Sequence, residues 1–285
     1  MKLGVISNCF RRPLAESMEI AASLGLSGIQ MYAVCGEFCP EALSTSDIAR
    51  YKKLLADNRL VVSALCGDLG GHGFELAAEN PAKIERTKRI IDLATAFDTT
   101  VVTTHIGVIP GDTGCEKYRV MLEALGKLGD YAAARGVTLA IETGPEVATV
   151  LNTFVCAAGK GVGVNLDPAN LVMVTGDDPA AATRLLRKKI VHTHLKDGKM
   201  LKRSDPVLIY RSFAEGGIEA LNVADFFIET PVGQGDVNFT EYLAALREIG
   251  FEGYLTIERE TGKDPAADIR LAVDYIRREH GQYLN

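Results

Sequence analysis

Short β-rich runs alternate with longer helical stretches from one end of this chain to the other, and this alternation limits the possible folds more than any other feature. A strand followed by a helix, repeated, builds parallel strands joined by helical crossovers. The runs read as strands are Leu3–Ser7, Gly28–Tyr32, Val61–Cys66, Thr100–His105, Val137–Glu142, Gly163–Asp167, Ile190–Leu195 and Gly253–Glu258. Helical stretches separate them: Pro13–Leu24, Ser46–Asn58, Pro81–Phe97, Glu116–Ala134, Glu146–Ala158, Pro179–Lys188 and Phe239–Ile249, with Pro265–Glu279 closing the chain. Asp178-Pro179 and Asp264-Pro265 each place a capping aspartate before a proline at the first helical position. Gly136, Gly159 and Gly250 follow helices, where a left-handed residue is wanted. Eight strands and eight helices are the count that closes a (β/α)8 barrel, a TIM barrel, and 285 residues without a linker suit one such domain over 1–285. One long irregular stretch remains, from about Asp197 to Asn238; such a loop in a compact domain is usually functional, often as a lid.

Side chains alternate faces along a strand. On the four late strands one face carries Leu139 and Ile141; Val162, Val164 and Leu166; Val191, Thr193 and Leu195; Leu255 and Ile257. This nearly apolar set suits packing against outer helices. The other face carries Thr138, Ala140 and Glu142; Gly163, Asn165 and Asp167; Ile190, His192 and His194; Tyr254, Thr256 and Glu258. It must point at the barrel axis, which is ordinarily filled by branched apolar residues. Here each inward row ends in a carboxylate or imidazole: Glu142, Asp167, His194 and Glu258. Unpaired charges are costly to bury, so three carboxylates converging in a barrel mouth call for a cation. A buried ion network without metal is the plainer alternative. Three acidic ligands and one imidazole favour Mn²⁺ or Mg²⁺ and remain compatible with Co²⁺, Fe²⁺ or Zn²⁺.

The same residues lie in Ile141-Glu142-Thr143, Asn165-Leu166-Asp167-Pro168-Ala169-Asn170, His192-Thr193-His194-Leu195-Lys196-Asp197 and Ile257-Glu258-Arg259-Glu260. In this order they resemble the xylose isomerase-like TIM barrel superfamily, and within it the sugar (phosphate) isomerase/epimerase branch. Pro231-Val232-Gly233-Gln234-Gly235-Asp236-Val237 resembles that branch's loop before the last unit. The resemblance implies that Glu142, Asp167, His194 and Glu258 ligate one divalent metal. It also implies that Glu142 and Glu258 act as acid and base on a ketose sugar or sugar phosphate, through an enediolate. Ketose 3-epimerases of the family tend to carry histidine three residues after the ligand aspartate, whereas this chain has Asn170.

His72, His105, Asn170 and Lys196 are the candidate substrate contacts. His105 ends strand four on the inward face, where a satisfied core histidine is an equal alternative. His72 follows strand three in Gly67-Asp68-Leu69-Gly70-Gly71-His72-Gly73, whose glycines need only shape a turn; the spacing matches neither dinucleotide nor phosphate-loop fingerprints. Glu146 follows Glu142 by one helical turn and can favour the start of its helix.

Three rivals stand beside the isomerase/epimerase reading. A lyase or dehydratase on a keto sugar or keto-inositol would begin from the same enediolate. An abasic-site endonuclease needs three metals and more histidines than the five here, and the net charge of −6 opposes phosphate backbones. A non-catalytic sugar-binding protein would leave the ligand set without purpose. No stretch reaches the roughly 18 consecutive apolar residues of a membrane span. MKLGVISN reads as a strand rather than an export signal, so the six scattered cysteines are expected as reduced thiols in a cytoplasmic protein. The expected partner is a small-molecule sugar, with no nucleic acid and no membrane; a homodimer or homotetramer is compatible with the resemblance.

Overall fold

Strand pairing closes on itself. The computed structural model describes residues 1–217 and 221–285. Its strands are β1 (Lys2–Ile6), β2 (Gly28–Tyr32), β3 (Val61–Cys66), β4 (Val101–Thr104), β5 (Thr138–Glu142), β6 (Val162–Leu166), β7 (Ile190–Leu195), β8 (Asp197–Met200), β9 (Phe227–Thr230) and β10 (Tyr254–Ile257). Eight of them form a closed parallel barrel in the order β1-β10-β7-β6-β5-β4-β3-β2. The expected (β/α)8 barrel is therefore the fold, with every barrel strand within a residue or so of its sequence-read limits.

Local chemistry sets the helix boundaries. Asp178 Oδ1 accepts from Ala181 N at 2.7 Å and Asp264 Oδ1 from Ala267 N at 3.1 Å, each ahead of a proline at the start of its helix. Gly136 and Gly250, at φ 68° and 74°, reverse the chain after the helices Glu116–Ala133 and Phe239–Glu248. The helix after β5 begins at Ala148, two residues later than expected, and the Asp177 carboxylate caps its first amide at 2.8 Å. Glu146 therefore does not start that helix.

The apolar core forms two unequal bodies. The large one lies between the barrel wall and the helices and includes Leu139, Ile141, Leu166, Leu195 and Ile257. The small one comprises Ala64, Val101 and Ala140, with Val191 packed on it. Val191 was expected on the outer face and Ile190 on the inner; the structure exchanges them. Between β6 and β7 the register shifts, Val164 pairing with Ile190 but Asn165 with His192. One extra residue reverses the alternation, sending Ile190 into the large core and Val191 into the small one.

The stretch read as irregular, 197–238, is largely structured, with residues 218–220 outside the described part. β8 and β9 pair antiparallel, Asp197 opposite Thr230, and the helix Pro206–Ala214 lies between them in sequence. The buried Asp197 carboxylate gathers the Pro231–Val237 loop, accepting from the amides of Gly198, Gly233, Gly235 and Val237 at 2.8–3.1 Å. Gly235 comes so near that a Cβ there would lie 2.0 Å from Asp197 Oδ1. Arg259, just past β10, holds Glu229 of β9 at 2.6 Å and Asp268 at 2.8 Å, tying the ribbon to the barrel rim.

Candidate metal centre

Side chains at or next to the C-terminal ends of four barrel strands meet at one point. Ligand atoms of Glu142, Asp167, His194 and Glu258 all lie within 4.8 Å of one another, and all four residues are buried. Main-chain hydrogen bonds fix the strand ends. Thr143 Oγ1 donates to Asp167 O and accepts from Asp167 N, each at 2.8 Å, clamping the ends of β5 and β6. Glu258 N donates to Leu195 O at 3.1 Å, extending the β10–β7 ladder by one residue.

His194 Nδ1 faces three carboxylates: Glu258 Oε2 at 2.8 Å, Asp167 Oδ2 at 3.3 Å and Glu142 Oε1 at 3.7 Å. Its other nitrogen, Nε2, meets Gln30 Oε1 at 3.1 Å, an acceptor that fixes the proton there and leaves the Nδ1 lone pair for a cation. The same Gln30 oxygen meets His192 Nε2 at 2.9 Å, while Gln30 Nε2 donates to Thr103 Oγ1 at 3.0 Å. Despite its nearness to His194, Glu258 Oε2 has no hydrogen-bond partner among the described residues. A buried carboxylate oxygen with no aligned hydrogen bond, facing an imidazole nitrogen and two more carboxylates, fits a divalent metal ion.

Without a cation these charges act on one another. Burial pushes the Glu142 carboxyl up to about 7. Burial would also raise Glu258, but Lys196 and His194 outweigh it and hold that carboxyl below its ordinary value. At His194 burial opposes the charge, yet Glu258 and Glu142 carry the imidazolium well above its usual range.

The candidate substrate residues surround this point in a cavity of about 950 Å³. Lys196 is buried, with Nζ 2.7 Å from Glu260 and 3.4 Å from Glu258. Asn170 Nδ2 donates to Glu142 Oε1 at 3.3 Å and to Thr143 O at 3.1 Å, so it steadies the Glu142 carboxylate. The His105 ring spans Asp68 and Glu142, with Nδ1 3.3 Å from the first and Nε2 3.9 Å from the second. Burial works to lower its pKa, but Glu142 and Asp68 raise it to about 10. His72 stands further out, 4.0 Å from Glu75.

Sequence reasoning missed Gln30, Asp68 and Tyr210, all of which line the cavity. Gln30 left a signal, a lone amide inside the apolar strand GIQMY. Tyr210 left none, because it rides on the unexpected helix Pro206–Ala214. Its hydroxyl approaches the chain so closely that a Cβ on Gly144 would lie 1.9 Å from it. Glu146 is buried, with one carboxylate oxygen unpartnered among the described residues, and burial pushes it up to about 8.

The family model described as "Xylose isomerase-like TIM barrel" matches residues 18–279, and the chain belongs to that family. An inosose dehydratase of Clostridium tetani is 26% identical over 155 residues, 53% of this chain and 49% of that protein. The matched region spans about half the length of such curated relatives. A D-psicose 3-epimerase structure superposes with a TM-score of 0.71 at 19% identity, covering 98% of this chain and 99% of that one. The IOLI protein, solved with a bound zinc atom, gives 0.76 at 17% identity and covers 100% of both chains; at these identities the likeness is one of fold. No helix among the described residues is long and apolar enough to cross a membrane.

Proposed function

We propose that this chain is a divalent-metal-dependent isomerase or epimerase acting on a ketose sugar or sugar phosphate through an enediolate. One observation carries the reading. Two buried glutamates, Glu142 and Glu258, approach a common point from strands separated by β6 and β7, beside Asp167 and His194. Bound there by these four residues, a cation would supply Lewis-acid polarisation of a carbonyl, easing loss of the neighbouring C–H proton. Mn²⁺ and Mg²⁺ suit the oxygen-rich set best, with Co²⁺, Fe²⁺ and Zn²⁺ compatible. One glutamate removes the proton and the other returns it, to the opposite face in an epimerase or to the next carbon in an isomerase. Lys196 donates to a substrate oxygen, Asn170 steadies Glu142, and His105 and His72 contact the sugar from the β4 and β3 side.

A second reading is dehydration of a keto sugar or keto-inositol. Asn170 in place of histidine, the named dehydratase relative, and the Asp68–His105 pair as a ready proton donor beside Glu142 favour it. Incubating metal-loaded protein with ketoses, their phosphates and keto-inositols in D₂O separates the readings. Deuterium next to the carbonyl in a stereoisomer or positional isomer supports the first, and an eliminated product supports the second. Absence of exchange across the panel would count against both.

A further inference from the structure

Lys196 carries its ammonium on a flexible four-carbon stem, yet it is buried, with Nζ 2.7 Å from Glu260 Oε2 and 3.4 Å from Glu258 Oε1. Only the first contact is an aligned hydrogen bond among the described residues, so the ammonium keeps hydrogens for other acceptors. Where they point depends on Glu260. That side chain is 57% exposed and would not fix a lysine by itself. Its main chain is gripped on both sides. Glu229 of β9 accepts from Glu260 N, with Oε1 at 3.0 Å and Oε2 at 3.3 Å. Arg11 Nη2 donates to Glu260 O at 2.8 Å, and Arg11 Nη1 to Gly262 O at 3.3 Å. Glu229 Oε1 also accepts from Thr261 N at 3.4 Å and from Arg259 Nη1 at 2.6 Å. The Glu229 side chain is only 5% exposed.

We infer that Glu229 is a positioning residue for Lys196: by pinning the main chain of residues 259–261 it fixes the Glu260 carboxylate, and through it the direction in which the lysine offers its hydrogens to the substrate. The inference rests on the reading of Lys196 as a donor to a sugar oxygen and extends that reading into the β8–β9 ribbon. Stability alone does not require the arrangement. A buried ion pair is often no better for stability than packed apolar groups of similar volume, and Asp268 already pairs with Arg259 at 2.8 Å. What the Glu229 carboxylate adds is acceptors for two consecutive main-chain amides, which an apolar side chain lacks. Both strands of the ribbon reach the same lysine. β8 begins at Asp197, next to Lys196 in the chain, and β9 carries Glu229 opposite Gly198. The ribbon thus holds Lys196 through its main chain and, by way of Glu260, through its ammonium.

Amine labelling tests this without a substrate. Magnesium-loaded protein is treated with limiting acetic anhydride and read by mass spectrometry, with the exposed Lys53 as internal reference. Glu229→Leu should speed acetylation of Lys196 about fivefold, the worth of one main-chain hydrogen bond. Glu229→Gln should stay near the parent rate, because Oε1 alone makes three of the four contacts and glutamine keeps one oxygen. Arg11→Gln, an exposed change that does not threaten folding, removes the other grip on Glu260 and should shift the rate the same way; it decides the matter if the leucine variant does not fold. Unchanged labelling in Glu229→Leu and Arg11→Gln, or equal loosening in the leucine and glutamine variants, would overturn the inference. Turnover then separates positioning from support of the rim. On whichever compound of the panel exchanges deuterium, Glu229→Leu should lower kcat/KM about fivefold in the native background and have no further effect in Lys196→Met. Additive losses would overturn the inference, since a residue that props the rim or touches the substrate itself acts with or without the lysine. So would a fall in metal affinity in Glu229→Leu, read with a chelating dye, because the whole mouth would then have shifted. A labelling shift without exchange across the panel supports the positioning role and faults the sugar chemistry instead.

Discussion

The two ends of the barrel interior are built on opposite rules. At one end Ala64, Val101, Ala140 and Val191 fill the axis with small apolar groups. At the other, three carboxylates, an imidazole and a buried lysine crowd the same axis, one carboxylate oxygen making no aligned hydrogen bond among the described residues. The first arrangement contributes stability by packing. The second costs stability on its own, since each buried charge gives up hydration. The strands that carry the charges also carry the packing, Ala140 preceding Glu142 by two residues on β5. A rigid apolar base thus holds a mouth whose charges would otherwise drive it apart.

The largest effect expected from perturbing the mouth is on turnover. Glu142→Gln and Glu258→Gln should each lower kcat by about a hundred- to ten-thousand-fold, the usual worth of a positioned acid or base, in assays on whichever substrate shows exchange. Retained turnover in either variant would remove that residue from proton transfer.

Next comes Gln30→Leu. It deletes the acceptor that holds His194 Nε2, and metal affinity should fall about 10- to 100-fold as read by competition with a chelating dye. Unchanged affinity would mean that the ring keeps its orientation without the Gln30 acceptor.

pH separates the two ends further. Folding raises the Glu142 carboxyl from its ordinary 4.5 to about 7 and lifts His194 in the same direction. A raised pKa stabilises below the unfolded value and ceases to do so as pH climbs through the folded one. The metal-free protein should therefore lose stability between about pH 4.5 and 7. Cations compete with protons for the site, so metal should bind better as pH rises and reverse the trend. A hundredfold excess over Kd should raise Tm by about 5–10 °C near neutrality. Thermal scans across pH with and without Mn²⁺ check both signs.

The smallest effect belongs to the base. Ala64→Leu overfills the inner cluster and should cost about 1–3 kcal/mol in denaturant unfolding while metal affinity stays constant. A large loss of affinity would show that base and mouth are not separable.

Much of this contrast was legible in the sequence. Period-two alternation exposed the inward rows on β5, β6, β7 and β10, and their terminal residues are the ones that converge. The exchange of Ile190 and Val191 was not legible, because a bulge depends on pairing with a neighbouring strand and leaves no mark on the alternation within β7. The β8–β9 ribbon was hidden for a related reason. Its strands are four residues each, separated by a helix, and its closing loop is shaped by amides converging on Asp197, a contact made across more than thirty residues. Gln30 needed spatial proximity: it stands far from His194 in sequence and touches it only across the barrel axis.

Metal stoichiometry tests the central claim most directly. The protein and its Asp167→Asn variant would be dialysed to equilibrium against Mn²⁺, Mg²⁺ and Zn²⁺ in turn, followed by elemental analysis. One divalent ion per chain is expected, held by Glu142, Asp167, His194 and Glu258 and largely lost in the variant. A chain that retains no metal, or a variant that retains as much as the parent, would contradict it.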